Sequence, residues 1–274
     1  MDWLGAVTRL RRTRTPGVLV TVTGVRGHTP REAGAKMVVS AGHLWGTVGG
    51  GNLEAKAVER ARAMIASGTT DPAGDEVALS DKAPYVHGVQ CCGGVATLLY
   101  EPLPVAPAVA VFGVGHVGLE LARILSRHAV ELHLVDSRAE VLGPQRLAVL
   151  HDARATVHVR HEAILPEQVL DALPRGAHVL IMTHDHAEDA ALCDAALRRP
   201  SLGSIGLIGS TAKWARFQAL LADNGHSAEA IARITTPIGI EGITSKDPAA
   251  IAVSAAAALL RALARESRDE TAMG

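Results

Sequence analysis

Two adjacent thiols, Cys91-Cys92, sit in the run Gly88-Val89-Gln90-Cys91-Cys92-Gly93-Gly94. Glycines around a sulfur leave backbone amides near it, an environment that lowers a thiol's pKa and favours the nucleophilic, metal-binding thiolate. Burial as inert packing is the other reading, because free cysteine is among the most buried residue types. No second cysteine pair follows at finger spacing, so zinc is not expected here, whereas one thiolate can touch a softer metal. Adjacent side chains point in different directions, so both thiols cannot face one ligand.

Three further runs supply polar chemistry. Gly46-Thr47-Val48-Gly49-Gly50-Gly51-Asn52-Leu53-Glu54 reads either as a tight strand-to-helix turn or as an anion site made of exposed N–H groups around Gly49, Gly50 and Gly51. Gly27-His28-Thr29-Pro30-Arg31-Glu32-Ala33-Gly34-Ala35-Lys36 is a solvated connection or a phosphate contact, Arg31 through its planar fork and Lys36 as a point charge. Thr183-His184-Asp185-His186, with Asp189 in the next turn, offers an acid–base set or a metal pair, although alternate residues of a strand-end loop diverge. Gly209-Ser210-Thr211-Ala212-Lys213 reads as ordinary helix capping by Ser210 or Thr211, or as a polar edge that brings Lys213 to a crevice.

The elements that must position these groups start with Val111-Phe112-Gly113-Val114-Gly115-His116-Val117-Gly118, a strand, glycine turn and helix in that order. Asp136 ends the next apolar strand at about the 20-residue distance of a dinucleotide fingerprint. Gly113 then serves the tight turn, Gly115 the backbone approach and Gly118 the helix–strand packing. A carboxylate at Asp136 accepts from ribose hydroxyls and disfavours a 2′-phosphate. The same helix start holds any phosphate through its N–H groups and positive dipole end.

Strands are expected near 109–112, 131–135, 156–159, 178–182 and 205–208, alternating with helical connections, which is the pattern of a doubly wound parallel sheet. Upstream, the pattern predicts a helix around 3–12, a strand at 18–23, a hairpin of 36–39 with 44–48, a helix from about 52 to 66, and strands at 76–79 and 96–100. The proline-rich run 101–107 breaks every period and marks the boundary. The expected architecture is therefore α/β, a small N-terminal α+β domain over 1–104 and a Rossmann-type doubly wound domain over 105–274. An Ala/Leu-rich helix is expected from 248 to about 265, and it makes a homodimer plausible as an expectation.

The 27 basic and 28 acidic side chains nearly cancel, which leaves no electrostatic footprint for nucleic acid or an anionic membrane. No apolar h-region follows Met1, and no uninterrupted apolar stretch of about 20 residues is seen, so a cytoplasmic location is expected. Three cysteines do not make a disulfide framework, and the thiols are expected to be reduced and available.

Taken in order, these elements resemble the xanthine dehydrogenase accessory proteins, the XdhC/CoxI family. The resemblance rests on Thr29-Pro30-Arg31 with Gly34-Ala35-Lys36-Met37, on Gly46-Thr47-Val48-Gly49-Gly50-Gly51 with Leu53-Glu54, and on Cys92-Gly93-Gly94 with Glu101-Pro102. It continues through Gly113, Gly115 and Gly118, Thr183-His184-Asp185-His186, Gly209-Ser210 with Lys213, Thr236-Pro237-Ile238-Gly239, and Ser245-Lys246-Asp247-Pro248 with Ile251-Ala252-Val253-Ser254. It implies a maturation factor rather than a turnover enzyme. Such a factor binds molybdopterin-type molybdenum cofactor, holds it while a cysteine desulfurase installs the sulfido ligand, and passes it to the molybdenum subunit of xanthine dehydrogenase. In that role Cys92 is the contact to molybdenum or its sulfur. Asn52 follows the glycine triplet where some members carry cysteine, which leaves Cys92 as the candidate thiol. The rival reading is an NAD-dependent oxidoreductase in which Asp136 binds ribose and His184 or His186 moves a proton; no dehydrogenase signature accompanies its glycines.

Overall fold

The computed structural model describes residues 1–79 and 94–272. Its chain divides into two compact units, Met1–Val105 with Arg265–Gly274, and Ala106–Ala264.

In the first unit, α1 (Trp3–Arg12) starts at Asp2, whose carboxylate accepts from the Gly5 N–H. There follow β1 (Gly17–Arg26), β2 (Lys36–Val39), β3 (Leu44–Gly46), α2 (Gly51–Ala66), β4 (Ala73–Ala78) and β5 (Val95–Leu103). They form an antiparallel sheet in the order β3-β2-β1-β5-β4. Alternation along β1 sends Val18, Val20 and Val22 towards Leu53, Ala57, Ala61 and Met64, the apolar face that α2 presents at helical spacing. The other sheet face takes Ala6 and Leu10 of α1 against Val38. β5 runs through Pro102, inside the segment read as a linker. β4 pairs with β5 only as far as Tyr100, so beyond it β5 is an edge on that side and tolerates a residue without an N–H.

The second unit is built from β6 (Ala108–Phe112), α3 (His116–Leu125), β7 (Glu131–Asp136), α4 (Pro144–Leu147), β8 (Thr156–His161), β9 (His178–Ile181), α5 (His186–Leu197), β10 (Ser204–Leu207), α6 (Thr211–Asp223), α7 (Ala228–Ile231), β11 (Ile234–Thr235) and, as far as Ala264, α8 (Pro248–Ala272). Its parallel sheet has the order β11-β10-β9-β6-β7-β8. Counted from β6, that is the 3-2-1-4-5-6 order of the doubly wound nucleotide-binding folds, with the reversal between β6 and β9. Val109 and Val111 pack against Leu121 and Leu125 of α3 and against Ala252, Ala255, Ala256 and Leu259 of α8. On the opposite face, Ala110 and Phe112 meet Leu192, Cys193 and Ala196 of α5 and Phe217 and Leu221 of α6. Burial on both faces is why these strands read as continuous apolar runs rather than as alternating ones.

Two expectations change here. β11 is only two residues long and leaves no periodic signal. The segment Pro248–Glu266 of α8 does meet the length and composition of a membrane span. That apolar character belongs, at least on one face, to the core: small alanines let the helix sit close to the sheet.

Close approach also explains the glycines of the turn. A Cβ on Gly118 would lie 2.0 Å from the Gly113 carbonyl oxygen, and one on Gly113, at φ +98°, would lie 2.3 Å from that of Met182. Both obstacles are backbone and cannot rotate away. Gly118→Ala should therefore lower unfolding stability by about 1–3 kcal/mol, as for other overpacking changes. Gly143→Ala, whose added carbon would meet its nearest neighbour at 3.4 Å, should cost well under half as much. Urea unfolding of the two variants checks the ranking.

Candidate functional site

The carboxyl ends of β6, β7, β9 and β10 line one edge of the parallel sheet, where open α/β sheets bind their ligands. Asp136 closes β7 and is 2% exposed. Its Oδ2 accepts from the Val114 N–H at 2.7 Å and from Arg138 Nη2 at 3.0 Å, while Oδ1 accepts from the Arg138 N–H at 2.9 Å and Nε at 3.0 Å. Burial pulls the carboxyl pKa up, but the Arg138 side chain, the two backbone N–H groups and the guanidinium charge together hold it below the ordinary value. The acid expected to receive ribose hydroxyls thus has its acceptor positions filled from within. Its charge, expected to repel a 2′-phosphate, is matched by Arg138.

Three helices begin at this edge, and they differ. Asp185 caps α5, accepting from Ala187 N–H at 2.6 Å and Glu188 N–H at 3.3 Å, and those bonds lower its pKa. Ser210 caps α6, accepting from Lys213 N–H at 3.2 Å. Among the described residues no side chain caps α3, which starts from Gly115. Cations flank that open terminus. A Cβ on Gly115 would lie 3.9 Å from Arg138 Nη2. Arg146 donates from Nη2 to the Val114 carbonyl at 3.4 Å, and its Nε is buried with no hydrogen-bond partner among the described residues. Amides at a helix N-terminus with two guanidinium groups beside them make a site for a phosphate or another oxyanion. Neither arginine was among the expected site residues, because both reach the glycine turn only through tertiary packing.

Lys213 and Asp189 at this edge are committed within the protein. Lys213 donates to Asp189 Oδ2 at 2.5 Å and to the Ile208 carbonyl at 2.9 Å. Asp189, fully buried, also accepts from the N–H and hydroxyl of Thr183. Lys213 therefore ties the ends of β9 and β10 together instead of presenting a free charge. His184 and His186 are exposed on either side of the capping Asp185. Glu188 is the group that the sequence reading passed over. It accepts from the Ser137 hydroxyl at 2.9 Å, and burial raises its pKa against that bond, with the Asp136 charge adding to the rise. Its spacing from Asp185 is that of a capping box, yet its side chain turns to β7.

In the first unit, the glycine turn and the Thr29–Arg31 loop come together. A Cβ on Gly49 would lie 2.5 Å from Pro30 Cγ and 3.6 Å from Arg31 Cγ. Gly94 joins them, since a Cβ there would lie 2.3 Å from the His28 carbonyl oxygen. Gly50, at φ +71°, precedes α2. The acceptor in this turn is the chain's own Glu54, bonded by the Thr47 hydroxyl and, at 3.3 Å, by the Gly50 N–H. Asn52 is buried beside them, and its Oδ1 has no hydrogen-bond partner among the described residues. Lys36, expected as a phosphate contact, donates to the Thr21 hydroxyl at 3.0 Å and lies 5.4 Å from the Trp3 ring centre; Arg31 stays exposed. Cys91, Cys92 and Gly93 lie outside the described residues. The third cysteine, Cys193, is buried in α5, and burial, with the Asp189 charge, pushes its thiol up to about 12. That thiol is packing rather than the available group expected of it.

Two outcomes follow from these pairs. Because the folded pKa of Asp136 is depressed, the pair stabilises the fold above the unfolded value of about 3.9, and the stabilisation fades as pH falls through the lower folded value. Arg138→Met should thus cost about 1–3 kcal/mol at pH 6.5, and the wild-type advantage should shrink at pH 3, as read by urea unfolding at both. Lys213→Met leaves Asp189 buried without its cation and should cost about 3–5 kcal/mol, with Asp189→Asn restoring part of the loss in the double variant. A loss below about 1 kcal/mol would show that the pair is not an internal tie.

Two family models match the chain: the XdhC Rossmann domain over residues 109–259 and the XdhC and CoxI family over residues 10–72. An Escherichia coli K12 protein described as uncharacterized, YqeB, is 25% identical over 272 residues, covering 95% of this chain and 46% of that protein. The chain thus spans about half the length of the curated relative it matches. A crystal structure described as a xanthine dehydrogenase from Bacillus halodurans is 19% identical, with a TM-score of 0.48 over 97% of this chain and 96% of that one. The Rossmann match alone covers more than half of the residues, and with the N-terminal match it shows that the chain belongs to the XdhC and CoxI family.

Proposed function

We propose that this chain is a maturation factor for a molybdenum hydroxylase of the xanthine dehydrogenase type, holding the phosphate-bearing molybdenum cofactor as cargo. The observation that carries the reading is the open N-terminus of α3, flanked by Arg138 and by Arg146 with its unbonded Nε. A phosphate on the cargo supplies acceptor oxygens to the amides at the start of α3 and to Arg146, and the dipole of α3 favours its charge. Asp136 keeps Arg138 in place through two parallel bonds, which fixes the guanidinium beside the glycine turn. Glu188, with its raised pKa, is the carboxyl at this edge suited to exchange a proton with a bound ligand.

The finer parts of the proposal rest on the family and on residue chemistry. Cys92, with Cys91 beside it, is the thiol that meets the molybdenum or its sulfur. A cysteine desulfurase supplies that sulfur, and the molybdenum subunit of xanthine dehydrogenase receives the loaded cofactor. The working form is a cytoplasmic homodimer. A nucleotide such as NAD is an alternative occupant of the same phosphate site, and an NAD-dependent oxidoreductase is the corresponding rival function.

The test is made on protein purified from cells that make molybdenum cofactor, with released pterin measured by fluorescence after oxidation. Gly115→Val and Arg146→Met should each retain at least about tenfold less pterin than wild type, the effect of losing one charge-assisted bond of roughly 1.4 kcal/mol, while their melting temperatures stay within a few degrees of it. Pterin retention unchanged in both variants, or NAD-dependent turnover of a small substrate with no pterin bound, overturns the reading.

A further inference from the structure

Away from the crevice, β7 and β8 carry a second group of side chains able to do chemistry. Glu131 and His133 stand two residues apart on β7, so the pleat puts them on one face, and the register sets His158 of β8 directly beside His133. Glu131 Oε1 lies 3.1 Å from His158 Nε2 and 3.6 Å from His133 Nε2. The three candidate ligand atoms all fall within 4.8 Å of one another. The imidazole rings lie with centroids 4.7 Å apart and planes 18° from parallel.

We propose that Glu131, His133 and His158 form a binding site for a divalent ion of the zinc class, separate from the cofactor crevice and independent of the function proposed for it. Two imidazole nitrogens and one carboxylate oxygen are a donor set that borderline first-row ions favour. Ligands about 2.1 Å from a tetrahedral ion sit about 3.4 Å from one another, close to both contacts that Glu131 makes. Bringing the two ring nitrogens to the same ion takes rotation about the ring torsion, which is soft. Neutral imidazoles with the proton on Nδ1 present their Nε2 lone pairs to the ion. Adjacent β-strands hold the three backbones in fixed register, so little chain entropy is lost on binding.

Three protein ligands leave a coordination position open, the arrangement of catalytic rather than closed structural sites. The two histidines also line a hollow of about 400 Å³, together with Val135, Arg160 and Val169. Arg160 follows His158 by two residues and pairs with Val135, so it rises on the same sheet face. Its guanidinium favours a small carboxylate or phosphate as the ion's remaining ligand.

Cobalt(II) is the probe, because it takes zinc sites and reports its own coordination in the visible spectrum. Chelator-stripped full-length protein should bind one equivalent of cobalt with the intense d–d bands of four- or five-coordinate geometry, and zinc should displace it. His133→Gln and His158→Gln should each weaken binding at least about tenfold, the shift expected for loss of one ligand or its orienting partner. A Cys91→Ser, Cys92→Ser double variant should keep the bands, which separates this site from any thiol site. His158 is the more exposed of the two histidines, so its variant decides the matter if the His133 variant does not fold. Absence of cobalt binding, bands that survive the His158 change, or bands that vanish with the cysteines each overturn the proposal.

Discussion

One carboxylate organises the sheet edge. Asp136 receives the Val114 N–H from the turn after β6 and three donors from Arg138, so two neighbouring loops hang on a single buried group. Without those bonds the charge would be expensive at 2% exposure. With them the turn is held at the end of β7, α3 starts from a fixed point, and a guanidinium is pinned beside Gly115. A flexible arginine would bring the same charge at a larger entropic cost on ligand binding.

Around that fixed point the three helix termini differ in how they are capped. Asp185 and Ser210 satisfy the starts of α5 and α6, and the buried Asp189–Lys213 pair joins the strand ends behind them. Among the described residues no side chain satisfies the start of α3. Polar groups that are bonded internally rigidify this edge, whereas the buried Nε of Arg146 has no hydrogen-bond partner among the described residues. The glycine turn of the first unit shows the contrast, because there Glu54 accepts from the Thr47 hydroxyl and the Gly50 N–H.

Much of the fold was legible because hydrophobic periodicity is a local signal. The alternation of β1, the apolar runs of β6, β7 and β9, and the four-residue spacing of Leu53, Ala57 and Ala61 each mark their element without knowledge of a partner. Punctuation was less reliable. Pro102 reads as a break, but the strand continues because its neighbour has ended. The two residues of β11 form a strand only because β10 lies beside them.

The candidate site divides along the same line. Gly113, Gly115, Gly118 and Asp136 are readable from the chain alone, since a tight turn, a close helix and a terminal acid impose residue types at fixed spacing. So is family membership, which rests on the order of such motifs. What a charged side chain does with its charge is not local. Lys213 and Lys36 look free in the sequence and are bonded in the fold, while Arg138, Arg146 and Glu188 look like surface residues and converge on the glycine turn and the end of β7. His133 and His158 meet only because parallel pairing sets β8 beside β7 in one register. Backbone geometry is imposed within a few residues and leaves its mark on composition; the pairing of long, flexible polar side chains depends on which strands and loops become neighbours, and that is decided by tertiary packing.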